Sequence, residues 1–347
     1  MTPVVPHVVF RVDAGPGIGL GHLNRCLALA ASLAHRGAAC VFLAQETRFA
    51  HDRIEAAGLP LEILDLAGTP AGGDADLAQT TDVAATNGAV AVVVDSYAAS
   101  ASFLGSLRRA GFRVIFIDDL ARESVPAHLV VNGGAQAHRL PYQSATGDTQ
   151  FLLGPAYAML PQGFRDLPPR QMGSEVRRVL ITVGGDDVSN VTAELIERLD
   201  RTAGDFDVQA VVGPFARAGD HVREACRRSR RPAAVVRGAT DLRELMLHAD
   251  VAISAAGQTL YELAAAGTPT LAFELADNQA ESLRSLDEAG VVKSAGRLAD
   301  SGFYDRLLVQ FHALVLDVEA RAGLSTAGQR LVDGRGAERV AAAILAG

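Results

Sequence analysis

Residues 8–34 read VVFRVDAGPGIGLGHLNRCLALAASLA, and their one histidine stands where chemistry is easiest to imagine. An apolar run ends in Arg11 and Asp13. A loop follows with Gly15, Gly17, Gly19 and Gly21, and His22 then opens an apolar-periodic stretch that predicts a helix over Leu20–Arg36. Histidine is the side chain whose proton comes and goes near neutral pH. In the first helical turn it feels the positive end of the macrodipole, which predicts a lowered pKa and a neutral ring. A neutral imidazole can take a proton from water. The glycines leave room beside it for a sugar and that water. The competing reading is a capping or packing histidine. Arg25 shares a helix face with His22 and could meet a phosphate or carboxylate. Asp13 could orient His22 or bind sugar hydroxyls, and Arg11 could join the site or simply pair with Asp13. Asp95 and Tyr97 close the run VVVDSY and are expected to touch a sugar. Asp118 and Asp119 end the next strand, with capping and substrate roles both open.

A second constellation lies in ADVAISAAGQTLYELAAAGTPTLAFELADNQ. A strand ends at Ser254, and the small residues through Gly257 let a ligand approach the backbone. Gln258 and Thr259 begin a helix whose first N–H groups suit a diphosphate. Glu262, one turn on, could accept hydrogen bonds from a ribose diol. The loop after TPTLAFE presents Asn278 and Gln279. A third strand-to-helix turn, ITVGGDDVSN, offers Gly184 and Gly185 and the possible caps Asp187, Ser189 and Asn190. None of these glycine-rich turns is followed by Gly-Lys-Ser/Thr. The first also lacks a suitably placed acid for a dinucleotide, so a nicotinamide cofactor is not expected.

The elements that must position these groups alternate between short Val/Ile runs and Ala/Leu-rich helical stretches. The apolar runs are continuous rather than alternating, as parallel strands covered on both faces require. The expected fold is α/β: two doubly wound, Rossmann-like domains facing a cleft, with ligands beyond the carboxyl ends of the strands. The expected boundaries are 1–158 for a sugar and catalytic domain, 159–176 for a proline-containing linker, 177–325 for a nucleotide domain and 326–347 for a C-terminal helix.

The bulk properties exclude several classes. At 347 residues, with 49% hydrophobic and 21% charged residues, the chain has room for two globular domains. A net charge of −8 gives no basic excess to offset nucleic-acid or membrane phosphates. Cys26, Cys40 and Cys226 show no metal-ligand spacing, and their scatter fits a reducing cytoplasm. No basic-then-apolar leader or membrane-length apolar run is seen.

The Ser254, Gly257, Thr259 and Glu262 pattern resembles the nucleotide-binding segment of GT-B enzymes, notably the family of the peptidoglycan N-acetylglucosaminyl transferase. That resemblance implies that the segment binds UDP, with the Glu on the ribose. The run RVDAGPGIGLGHLNRCLALAASL resembles the signature of the UDP-sugar hydrolases of pseudaminic acid synthesis. Further similarity runs through VVVDSY, IDDLA, VVN, LLGPAYAML, VGGDDVSN and ADNQ, covering Val8 to Gly296. Departures are Gly133-Gly134 after VVN and the run Pro161–Phe164. The resemblance implies cleavage of UDP-2,4-diacetamido-2,4,6-trideoxy-β-L-altropyranose to free sugar and UDP. It implies His22 as the base, inversion, no metal and no cofactor. The expected sugar contacts are Arg11, Asp13, Gly19, Gly21, Arg25, Asp95, Tyr97, Asn278 and Gln279. The expected UDP contacts are Gly185, Ser254, Gly257, Gln258, Thr259 and Glu262. A monomer is expected, with the UDP-sugar as its partner and neither nucleic acid nor membrane insertion. The alternatives are a GT-B glycosyltransferase with a UDP-sugar donor and a non-catalytic nucleotide-sugar binder.

Overall fold

The computed structural model describes residues 5–15, 20–66, 68–184, 187, 190–213, 219–238 and 241–346. It divides into two compact units. The first comprises Met1–Gln162 with Arg335–Gly347, and the second comprises Gly163–Gly334.

Among the described residues, the first unit holds seven strands: β1 (His7–Val12), β2 (Ala39–Ala44), β3 (Leu61–Ile63), β4 (Ala89–Asp95), β5 (Arg113–Ile117), β6 (Leu129–Asn132) and β7 (Gln150–Leu153). They form one parallel sheet in the order β3-β2-β1-β4-β5-β6-β7. The strands are apolar and largely buried because helices cover both faces, which is why their sequence runs do not alternate. One face packs Phe10, Phe42 and Val93 against Leu23, Leu29 and Leu33 of the helix Gly21–His35. The other packs Val9, Val92 and Val94 against Phe103, Leu104 and Leu107 of the helix Ala101–Arg109.

The second unit repeats the plan with β8 (Arg178–Thr182), β9 (Asp207–Val212), β10 (Ala233–Arg237), β11 (Val251–Ala255), β12 (Thr270–Glu274) and β13 (Lys293–Arg297). Its order is β10-β9-β8-β11-β12-β13, all parallel. Each sheet reverses its winding direction after its first strand has gained two neighbours on one side, between β1 and β4 and again between β8 and β11. The crevice at the strands' carboxyl ends there is the natural ligand site of a doubly wound sheet.

The structure departs from expectation at several helices. The helix Asp74–Thr86 escapes an apolar-period reading because its buried stripe is Asp76, Thr80 and Ala84, two of them polar. The region 290–325 holds most of two further helices, Phe303–Leu316 and Val318–Leu331, the second capped by the Asp317 carboxylate on Ala320 N–H. The expected helix over 326–347 is therefore two pieces: the end of Val318–Leu331 and the separate helix Gly336–Leu345. The latter returns to the first unit, burying Ala337, Val340, Ala341 and Ile344 beside the helix Gly21–His35. Gly336 permits this approach, since a Cβ there would lie 2.1 Å from the Ala158 carbonyl oxygen. Gly133 meets the same segment from another side, where a Cβ would fall 2.6 Å from Ala158 Cα.

Candidate active site

In the first unit, the chemistry-bearing side chains gather where the sheet reverses. Val12 and Asp95 are register partners at the carboxyl ends of β1 and β4, and Asp13 N–H donates to the Asp95 carbonyl. The helix Gly21–His35 follows β1 and places His22 in its first turn. His22 Nδ1 lies 2.5 Å from Asp95 Oδ1. Arg25, almost one turn on, donates from Nε and Nη2 to the two Asp95 oxygens, each at 2.7 Å. Its Nη1 donates to both oxygens of Asp119, just beyond β5, at 2.9 and 2.8 Å. Cys26 Sγ–H approaches Asp95 Oδ2 at 3.4 Å. The Tyr97 hydroxyl lies 3.3 Å from Asp119 Oδ2, and its ring meets His22 edge-on, with centroids 4.6 Å apart.

The electrostatics correct one expectation. The helix dipole alone predicts a lowered pKa for His22. Burial also disfavours the charged ring, yet the Asp95 carboxylate outweighs it with help from Asp119, and His22 is raised above the ordinary imidazole value. A carboxylate in hydrogen-bond contact acts more strongly than a terminal dipole of partial charge. Asp95, though burial disfavours its charge, is held below the usual carboxylate range by Arg25 and His22. Burial pushes the Tyr97 hydroxyl up, so it stays protonated. With Asp95 accepting from Nδ1–H, the neutral ring keeps its lone pair on Nε2, the atom a base would use.

Asp95 is fully buried, so it orients His22 and is not the sugar contact expected for it. The orienting role considered for Asp13 falls to Asp95, because Asp13 receives Arg11 Nη1 instead. Arg11 is itself buried in β1 and grips Asp76, through Nε at 2.9 Å and Nη2 at 2.5 Å. Asp76 also accepts from Gly72 N–H at 2.8 Å and from the Thr80 hydroxyl at 3.2 Å. Arg11 is thus a structural cation that fixes the start of the helix Asp74–Thr86, in place of a sugar contact. Arg25 is likewise buried and paired with two carboxylates, Asp95 and Asp119. Tyr97 is 40% exposed. Beside it opens a cavity of about 160 Å³ bordered by Ser100, Phe116, Asp118, Leu120 and Arg122. The Asp118 carboxylate accepts from Leu120 and Ala121 N–H, the capping alternative. Gly21 starts the helix that carries His22, and Gly19 lies outside the described residues.

In the second unit, Ser254 ends up fully buried in β11 with its hydroxyl donating to the Ala255 carbonyl at 3.0 Å. Nothing lies within 4 Å of where a Gly257 Cβ would stand, so the backbone is open there. Gln258 and Thr259 begin the seven-residue helix Thr259–Ala265, and Glu262 is half-buried in its first turn. Asn278 is exposed, whereas Gln279 turns its side-chain oxygen to Leu275 N–H at 2.8 Å, bracing the loop after β12. Asp187 is the cap of the helix Val191–Leu199, accepting from Val191 and Thr192 N–H. Gly185 and Ser189 lie outside the described residues.

One partner escaped the sequence reading, and another was seen without its contact. Asp76 went unnoticed because its helix did, although Asp74 and Asp76 in a first turn after Gly72-Gly73 are a helix-start signal. Asp119 was visible as a strand-end acid, but only the fold places it across from Arg25.

No protein-family model matches the chain. A segment of 202 residues is 27% identical to the spore coat polysaccharide biosynthesis protein SpsG of Bacillus subtilis, covering 56% of this chain and 58% of that protein. A segment of 169 residues is 26% identical to the pseudaminic acid cytidylyltransferase and UDP-2,4-diacetamido-2,4,6-trideoxy-beta-L-altropyranose hydrolase of Helicobacter pylori, covering 49% of this chain and 30% of that protein. These matches span less than two thirds of either relative. Among solved structures, MurG of Acinetobacter baumannii superposes with a TM-score of 0.73 at 16% identity, covering 99% of this chain and 100% of that one. The chain has the GT-B fold: two parallel α/β units, of seven and six strands.

Proposed function

We propose that this chain acts on a nucleotide sugar and hydrolyses a UDP-linked 2,4-diacetamido-2,4,6-trideoxyhexose at its anomeric carbon, on the way to pseudaminic acid. The observation that carries the reading is the buried His22–Asp95 pair at the point where the first sheet reverses. The names of the partial relatives, a polysaccharide biosynthesis protein and a bifunctional enzyme with such a hydrolase, support the substrate class.

In this mechanism Asp95 accepts the Nδ1 proton and Nε2 faces a water. The water's proton passes to Nε2 as its oxygen attacks the anomeric carbon from the side opposite UDP. The bond from that carbon to the diphosphate oxygen breaks and its electron pair leaves with UDP, giving free sugar with inversion. The imidazolium so formed is stabilised by Asp95 and Asp119. Tyr97 and Gly21, with Asn278 and Gln279, are assigned to the sugar. Gly185, Ser254, Gly257, Gln258, Thr259 and Glu262 are assigned to UDP. The reading includes no metal or cofactor, and has the protein working as a cytoplasmic monomer.

The test supplies the UDP-sugar without any acceptor and measures released UDP. Wild-type protein should release UDP and free sugar. His22→Ala should lose about a hundred- to ten-thousand-fold in kcat, the usual contribution of a general base, with UDP affinity unchanged. Turnover that appears only when an acceptor is added would instead make the chain a glycosyltransferase. UDP-sugar binding without turnover in either assay would make it a binder.

A further inference from the structure

We propose that Asp119 is a positioning residue for His22, acting through the Arg25 guanidinium and the Tyr97 hydroxyl; this deepens, and rests on, the reading of His22 as the working group of the site. Asp95 meets the ring directly, but it shares its charge with a cation. It is bound on both oxygens by Arg25, at 2.7 Å each, so that pair alone is electrically neutral. Asp119 supplies the second negative charge, through contacts of 2.9 and 2.8 Å to the remaining arm of the same guanidinium. With His22 neutral, one cation faces two carboxylates and the cluster is left with one negative charge. With His22 protonated, the charges cancel. The arrangement therefore favours the ring in its proton-loaded form: Asp95 acts on it directly, and Asp119 adds to it by offsetting the Arg25 charge.

The geometry assigns Asp119 a second task. Tyr97 leans edge-on against His22, at 85° between ring planes, and its hydroxyl reaches Asp119. One carboxylate thus braces the cation behind Asp95 and the aromatic wall beside His22. The other titratable groups nearby do not supply the missing charge. Burial, reinforced by Asp95, keeps the Cys26 thiol protonated, and burial does the same for the Tyr97 phenol. Asp118 turns to the Leu120 and Ala121 N–H groups, and Asp13 is taken by Arg11. Asp119 is only partly covered, with a quarter of its side chain exposed, so replacing it disturbs little packing.

The test is an NMR titration of the His22 imidazole in the full-length chain from about pH 5 to 9, with the ring signal assigned by loss in His22→Gln. In the wild type, the ring should titrate above the ordinary imidazole value of about 6.5. In Asp119→Asn, its pKa should fall by about one unit, a tenfold loss of proton affinity, as expected when a nearby opposite charge is removed. Tyr97→Phe keeps the charge and removes only the hydroxyl brace, so it should lower the pKa by less than Asp119→Asn does. A His22 pKa unchanged in Asp119→Asn overturns the proposal. Should that variant fail to fold, Asp119→Ser removes the same charge and must give the same fall. In turnover assays, the acid limb of kcat/KM should move down with the NMR value while UDP affinity stays constant. A pKa fall in a protein that turns over no UDP-sugar would reject the hydrolase and keep the positioning role. Turnover with no pKa fall would do the reverse.

Discussion

His22 and Asp95 form a pair whose pH behaviour follows from the directions of their shifts. His22 is raised in the folded protein, so its share of stability is fully present below about pH 6.5 and is lost as pH rises through the higher folded value. Asp95 is lowered, so its share is present above about pH 4 and is lost as pH falls through its folded value. The pair therefore stabilises most between these limits. Thermal unfolding of wild type and His22→Ala across pH 5 to 9 should show the wild-type advantage shrinking on the alkaline side. A pH-independent gap would mean that the ring contributes only by packing. Activity runs the opposite way. In the proposed hydrolysis the base must be unprotonated, so kcat/KM should rise with pH through the His22 value, and that limb should lie above the ordinary imidazole range.

At the scale of elements, the helix Asp74–Thr86 is tied down by charge more than by apolar contact. Asp76 accepts from Arg11, Gly72 and Thr80, all inside the first unit. Removing it leaves the buried guanidinium with Asp13 as its one remaining carboxylate, and losing one partner of a buried pair costs up to about 3–5 kcal/mol. Asp76→Ala should lower the urea midpoint of the first unit accordingly. Asp74→Ala, at an exposed position of the same helical turn, should stay within about 0.5 kcal/mol of wild type. Equal effects from the two substitutions would show that only helix-terminal charge matters.

For the molecule as a whole, the chain leaves its first unit near Gln162 and returns to it at Arg335. The final helix buries Val340 and Ile344 next to the helix that carries His22. Deleting residues 335–347 should therefore weaken the first unit and spare the second. Hydrogen exchange would read this as faster exchange in the amides of Gly21–His35, with those of β8, β11 and β12 unchanged. Loss of protection in the second sheet alone would contradict that division. Among the described residues, no helix is long and apolar enough to cross a membrane.

Much of this protein is decided by local sequence. Most strands among the described residues are legible because buried parallel strands need continuous apolar runs, as in VVFRV and AVAVVVD. The turn between β1 and the helix of His22 is legible because glycines and a following apolar period mark it. His22, Asp95, Tyr97 and Arg25 can all be picked out as residues at strand ends or first helical turns, where doubly wound sheets keep their ligands. What each one touches is not local. The pairs Arg11–Asp76, Arg25–Asp119 and His22–Asp95 join residues 65, 94 and 73 positions apart, and no periodicity carries such distances. The sign of the His22 shift turned on this. A helix dipole is written in the sequence and lowers the pKa, but the carboxylates that raise it come together only when β1, β4 and β5 lie side by side. Charge acts through space, so the tertiary structure alone decides which acids the histidine meets.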